Sequence, residues 1–130
     1  MKRQFFIAGV QFRPRQEINS ATKLMNVGDQ LGLVPEPENK FDPNAVKIEY
    51  NTETADGIVS TFLGYVPKKF SSEVSAMLGI GAPIICTVDE VNPEGKTYEM
   101  IKVTVQIPIA EEDEGIDEAD DEGPYSGEDR

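Results

Sequence analysis

From Ile101 to Ile107 the side chains alternate between apolar and polar, and a period of two suits a strand with one buried face, not a helix. Ile101, Val103, Val105 and Ile107 give the run from Thr97 to Ile107 its inward face, and Pro83 to Val91 makes the strand before it. Between the two, Asn92-Pro93-Glu94-Gly95-Lys96 offers a hairpin loop with a glycine free to take a positive φ. The fold is therefore built around antiparallel sheet.

The rest of the chain supplies more strands. Gln4 to Phe12 reads as the first, with Phe6, Ala8, Val10 and Phe12 on one face and Phe5, Ile7, Gly9 and Gln11 on the other. Pro14 stops it, because proline cannot donate to a ladder. Asn19 to Leu24 has the makings of one short helical turn. Asp29 to Pro35 is a second strand, with Leu31 and Leu33 inward, and Ala45 to Tyr50 a third, with Val46, Ile48 and Tyr50 alternating against Lys47 and Glu49. A polar connector, Asn51 to Gly57, leads to a fourth strand from Ile58 to Val66. Pro67 then opens a helix whose Phe70, Val74, Met77 and Leu78 fall at i, i+4, i+7 and i+8, a core-packing stripe ended by Gly79 and Gly81. Six strands and one main helix predict a mainly β fold, a small OB-like or SH3-like barrel over residues 1–109.

Charge divides the chain in two. Of the net −12, residues 111–130 carry −10, eleven acidic residues against Arg130 alone; the remainder holds thirteen acidic and eleven basic residues, a net of −2. Residues 110–130, dense in carboxylates and poor in large apolar side chains, are expected to form a disordered acidic tail. The body is close to neutral, so the overall acidity does not argue against a nucleic-acid partner.

Several chemistries are excluded by what is missing. Without a histidine there is no imidazole base, no His-based triad and no His metal ligand, and the single Cys86 can build neither an internal disulfide nor a zinc site. Cys86 lies in an apolar strand run, as a buried and inert thiol would. No phosphate-binding loop is present, and Gly79-Ile80-Gly81 lacks the preceding strand and the third glycine of a dinucleotide fingerprint. Glu38, Lys40 and Asp42 could begin a metal-dependent nuclease site, but nothing else supports one. The expectation is a protein that is not an enzyme and takes no cofactor or metal. No apolar run approaches the ~20 residues of a membrane span, and Met1 to Ile7 lacks the apolar core and cleavage site of a signal peptide. A cytoplasmic monomer is the expectation.

The most distinctive stretch is Glu36-Pro37-Glu38-Asn39-Lys40-Phe41-Asp42-Pro43-Asn44-Ala45-Val46. Pro37 and Pro43 fix φ and bias Glu36 and Asp42 toward extended backbone. Asn39, Asp42 and Asn44 carry the short side chains that bond nearby main chain and hold a turn in one shape. The result is a stiff loop with Phe41 beside the Asp42 carboxylate. Two readings follow: a satisfied turn with Phe41 tucked onto the core, or a stacking platform at Phe41 with Asp42 accepting a ligand hydroxyl.

Four pieces in order resemble the HIRAN domain: Phe5-Phe6-Ile7-Ala8-Gly9-Val10-Gln11-Phe12, the stretch from Leu31 to Val46, Leu63-Gly64-Tyr65-Val66-Pro67-Lys68, and the apolar helix behind them. The resemblance spans about the first 107 residues. That module occurs at the N-terminus of SWI/SNF-type translocases that remodel replication forks, and as free-standing bacterial and phage proteins. It implies an OB-like barrel, a place in DNA repair or replication, and binding of single-stranded DNA, with a preference for free 3′ ends in eukaryotic members. Asn39, Lys40, Phe41 and Asp42 correspond to a family Asn-Pro-Tyr-Asp loop that stacks on the terminal base and accepts its 3′-hydroxyl. Phe41 keeps the ring without the phenol, and Lys40 replaces the proline. An Arg-Tyr pair of the family corresponds to Gln11 and Phe12, with Arg13 adjacent; its later basic residue corresponds to Lys68, with Lys69 beside it, and a late aromatic to Tyr98. Tyr65 lies within the third piece. The resemblance thus implies a DNA site at Phe12, Arg13, Asn39, Lys40, Phe41, Asp42, Tyr65, Lys68 and Tyr98. A second reading is a protein-interaction or regulatory module whose acidic tail mimics DNA or covers the basic groove.

Overall fold

A computed structural model describes residues 1–107. The acidic segment, residues 110–130, lies outside the described residues. Six antiparallel strands form one sheet in the order β1-β6-β5-β2-β3-β4. They are β1 (Lys2–Phe6), β2 (Gln30–Pro35), β3 (Val46–Thr54), β4 (Gly57–Tyr65), β5 (Ile85–Val91) and β6 (Ile101–Gln106), with helices α1 (Arg15–Leu24) and α2 (Lys68–Gly79). Register shifts at Ile48/Glu49 and Val88/Glu90 add local twist. The sheet curls far enough that Ala8, just past β1, meets Tyr65 at the end of β4. The Ala8 N–H donates to the Tyr65 carbonyl at 2.9 Å, and the Tyr65 N–H to the Ala8 carbonyl at 2.8 Å. This bridge joins the two outer strands of the sheet at one end, in the manner of a barrel.

Only glycine fits beside that bridge. A Cβ on Gly64 would overlap the Ala8 carbonyl oxygen and come within 2.8 Å of Ile7 Cγ2. Inside the curl lie Ile7, Val46, Ile48, Leu63, Val74, Val88, Ile101, Val103 and Val105, all buried. α2 adds Val74 to this core and stacks Phe70 on Phe5, ring centroids 5.7 Å apart. A two-pronged ion pair ties β1 to α2: Arg3 Nε and Nη2 donate to the two Glu73 oxygens at 2.8 and 2.9 Å. Cys86 is buried in β5, and burial, with the nearby Asp89 charge, pushes its thiol up to about 12.

Three local expectations are corrected. The strand read from Gln4 to Phe12 ends at Phe6: Gly9 takes φ 77°, and Val10–Phe12 forms a 3₁₀ turn. Val10 consequently points into the core while Phe12 stands 80% exposed. The single helical turn expected near Asn19 is a ten-residue helix, α1, so there are two helices. Ile18, Ala21 and Thr22 form its buried side, and Met25, just past its end, is buried too. The polar connector Asn51 to Gly57 is mostly strand, with β3 and β4 running on to a tight turn at Ala55-Asp56. There the Thr54 hydroxyl donates to the Gly57 carbonyl at 2.8 Å.

Candidate nucleic-acid interface

The loop between β2 and β3 is held by its own short polar side chains. Asn39 Oδ1 accepts the backbone N–H groups of Phe41 (2.8 Å) and Asp42 (3.0 Å), and its Nδ2 donates to Glu36 Oε1 at 3.0 Å. Asp42 Oδ1 accepts the Asn44 N–H at 2.9 Å. These are the local bonds expected of Asn and Asp in turns. Phe41 is left 94% exposed, so the tucked reading of its ring is overturned.

Two contacts carry the loop onto the sheet and helix. The Ser71 hydroxyl, buried in the first turn of α2, donates within reach of both Asp42 Oδ2 (3.1 Å) and the Lys68 carbonyl (3.2 Å). The Tyr65 hydroxyl donates to Glu36 Oε1 at 2.9 Å. Desolvation of the phenol, followed by this hydrogen bond and the Glu36 charge, raises the Tyr65 pKa above its ordinary value. Glu36 thereby receives both Tyr65 and Asn39, and its second oxygen lies 3.9 Å from Lys47 Nζ. Glu36 begins the distinctive stretch but is given no role in the site by the sequence, and Ser71 is not singled out there at all. Ser71 is 29 positions from Asp42, and no local pattern joins them.

Together these contacts shape a groove of about 390 Å³. Of the residues singled out beforehand, Phe12, Asn39, Phe41, Asp42, Tyr65 and Lys68 line it. Ala8, Gly9, Ala45 and Val66, brought together by the Ala8–Tyr65 bridge, complete the lining. Lys40 is exposed on the same loop without lining the groove. Arg13 stands apart, its guanidinium carbon 4.1 Å from the Phe62 ring centroid and its Nε donating to the Phe62 carbonyl at 3.2 Å. Tyr98, 59% exposed, lies in the 3₁₀ turn Thr97–Glu99 and is not in the groove lining. Among the described residues no group of three His, Cys, Asp or Glu side chains is placed to hold a metal ion, and no helix is long and apolar enough to cross a membrane.

A curled six-stranded sheet whose closing bridge floors a groove with two exposed aromatic rings defines a small, mainly β domain. The HIRAN domain family model matches residues 3–108, and the chain belongs to that family, a family of DNA-binding domains. No curated protein matches the chain significantly. Among solved structures it is similar to the HIRAN domain of human HLTF, with TM-score 0.55 and 14% identity over 80% of this chain and 72% of that one. It is also similar to a protein from Lactobacillus plantarum, with TM-score 0.61 and 14% identity over 81% of this chain and 95% of that one. At such identities the likeness concerns the fold alone.

Proposed function

We propose that the chain is a non-catalytic module for single-stranded DNA, taking an unpaired 3′-terminal nucleotide into the groove beside Phe41. The supporting observation is the Phe41 ring, 94% exposed on a backbone that Asn39 holds, sharing one concavity with the exposed ring of Phe12. Exposed aromatic faces around a groove suit base stacking, which contributes ~1–3 kcal/mol per base and tolerates any sequence. Asp42 fits a terminal hydroxyl. Among the described residues each of its oxygens has one donor, Asn44 N–H or Ser71 Oγ, and a carboxylate has about four acceptor sites. A continuing phosphodiester would set like charge against it. Lys68 in the lining and Lys40 on the loop suit backbone phosphates. The non-catalytic part rests on the chain's lack of histidine and on a lining whose ionisable side chains are Asp42, Tyr65 and Lys68.

Titration of one labelled oligonucleotide ending in a 3′-hydroxyl or a 3′-phosphate tests the reading. A hydrogen bond to a charged acceptor contributes ~1.5–3 kcal/mol, so the hydroxyl end should bind roughly tenfold tighter or better. Equal, weak and salt-insensitive binding of both ends would overturn it.

A further inference from the structure

Outside the groove the surface carries cations for which end recognition has no use. The 3₁₀ turn Val10–Phe12 is a ridge between two hollows. Gly9 and Phe12 line the groove, while Val10, Gln11 and Arg13 line a second hollow of about 270 Å³ with Arg15, Ile18 and Thr97. Arg15 also lines a third hollow, of about 280 Å³, with Asn19 and Lys23 along α1. Arg15, Asn19 and Lys23 stand at i, i+4 and i+8, on one face of the helix. At 1.5 Å per residue that face runs about 12 Å from Arg15 to Lys23, long enough for more than one phosphate.

The cations differ in how they are held. Arg13 is fixed by the Phe62 ring and carbonyl, which leaves most of the five guanidinium N–H groups for other acceptors. Arg15 and Lys23 are exposed and make no ion pair among the described residues. Two carboxylates oppose them: Glu17 lies 3.9 Å from Arg13 Nη2, and Glu94 lines the third hollow. Gln11, Asn19 and Thr97 add neutral polar groups of the kind that contact phosphate and sugar. Among the described residues no aromatic side chain lines either hollow.

We infer that the two hollows form a track for the sugar-phosphate backbone of the strand whose last nucleotide occupies the groove, leading over the Val10–Phe12 ridge and along α1. This rests on the proposed end-binding function and extends it to the nucleotides behind the end. Contact along the track is electrostatic and independent of base identity. It therefore adds affinity with length and steepens the salt dependence, unlike stacking at Phe41.

The experiment titrates 3′-hydroxyl thymidine oligomers of four, eight and twelve nucleotides from low to moderate salt. It uses wild type, Phe41→Ala and the double variant R15A/K23A, with circular dichroism to confirm folding. The four-mer should bind wild type and the double variant equally and lose affinity with Phe41→Ala. The longer oligomers should gain affinity on wild type. R15A/K23A should remove that gain and lower the slope of log K against log salt by about 1.4, since each single-strand phosphate contact contributes roughly 0.7. If R15A/K23A matches wild type in slope and length dependence while the four-mer still depends on Phe41, the track is wrong and the groove reading stands. If Phe41→Ala changes nothing at any length, the groove reading fails and the track fails with it.

Discussion

At the scale of single residues, Asn39 and Phe41 separate two kinds of contribution that a binding measurement alone would merge. The Phe41 ring touches little of its own protein, so Phe41→Ala should leave the melting temperature within about 2–4 °C of wild type, the ~0.5 kcal/mol expected of an exposed substitution. Its loss should weaken oligonucleotide binding about tenfold or more, on the stacking contribution of ~1–3 kcal/mol. Asn39 lends the loop its shape through bonds to the Phe41 and Asp42 N–H groups and to Glu36. Asn39→Ala should therefore weaken binding nearly as much while also lowering stability by ~1 kcal/mol, since the loop loses bonds that water only partly replaces. Parallel titration and thermal melts would distinguish the two. Equal melting temperatures for both variants would mean that the loop keeps its shape without the Asn39 side chain. This part of the site was legible in the sequence because every bond in it spans at most three positions.

At the scale of elements, the decisive feature is where the outer strands meet. The bridge between Ala8 and Tyr65 places Phe12 on the same groove as Phe41, and it exists because Gly64 lacks a Cβ. Gly64→Ala should lower stability by ~1–3 kcal/mol, the usual cost of overpacking, and reduce oligonucleotide affinity as the groove floor shifts. Gly79→Ala is the matched control: a Cβ there meets nothing within 4 Å, and the helix end tolerates alanine. Chemical denaturation of both variants checks this, and equal midpoints would show that the bridge can open at no cost. Here the sequence was only half informative. Alternation alone put Phe6, Ala8, Val10 and Phe12 on one face; the left-handed turn at Gly9 breaks that alternation and turns Val10 inward and Phe12 outward. α1 escaped for a different reason. Its buried side is built from Ile18, Ala21 and Thr22, and only the first of these is a large apolar residue. The Ser71–Asp42 bond joins elements 29 positions apart, and only the packing of α2 against the loop brings the pair together.

For the whole molecule, the balance that matters is between a nearly neutral folded body and the acidic run that follows it. Residues 111–130 hold −10 of the net −12, so a phosphate backbone taken up as proposed would meet the charge of the acidic run as well as that of Lys68 and Lys40. Any such repulsion or competition acts through solvent. It is strongest when the Debye length is long, ~30 Å at 0.01 M salt, and largely screened near 8 Å at 0.15 M. A chain ending at Ile109 should accordingly bind the same oligonucleotide several-fold tighter at low salt, with the two curves converging as salt rises. The residues that line the groove are all retained in the shorter chain, so the Phe41→Ala effect should be the same size in both lengths of chain. Equal affinities at 10 mM salt would mean that the acidic run exerts no field on the groove. A difference that persists undiminished to high salt would point instead to a specific, non-electrostatic contact between the run and the body.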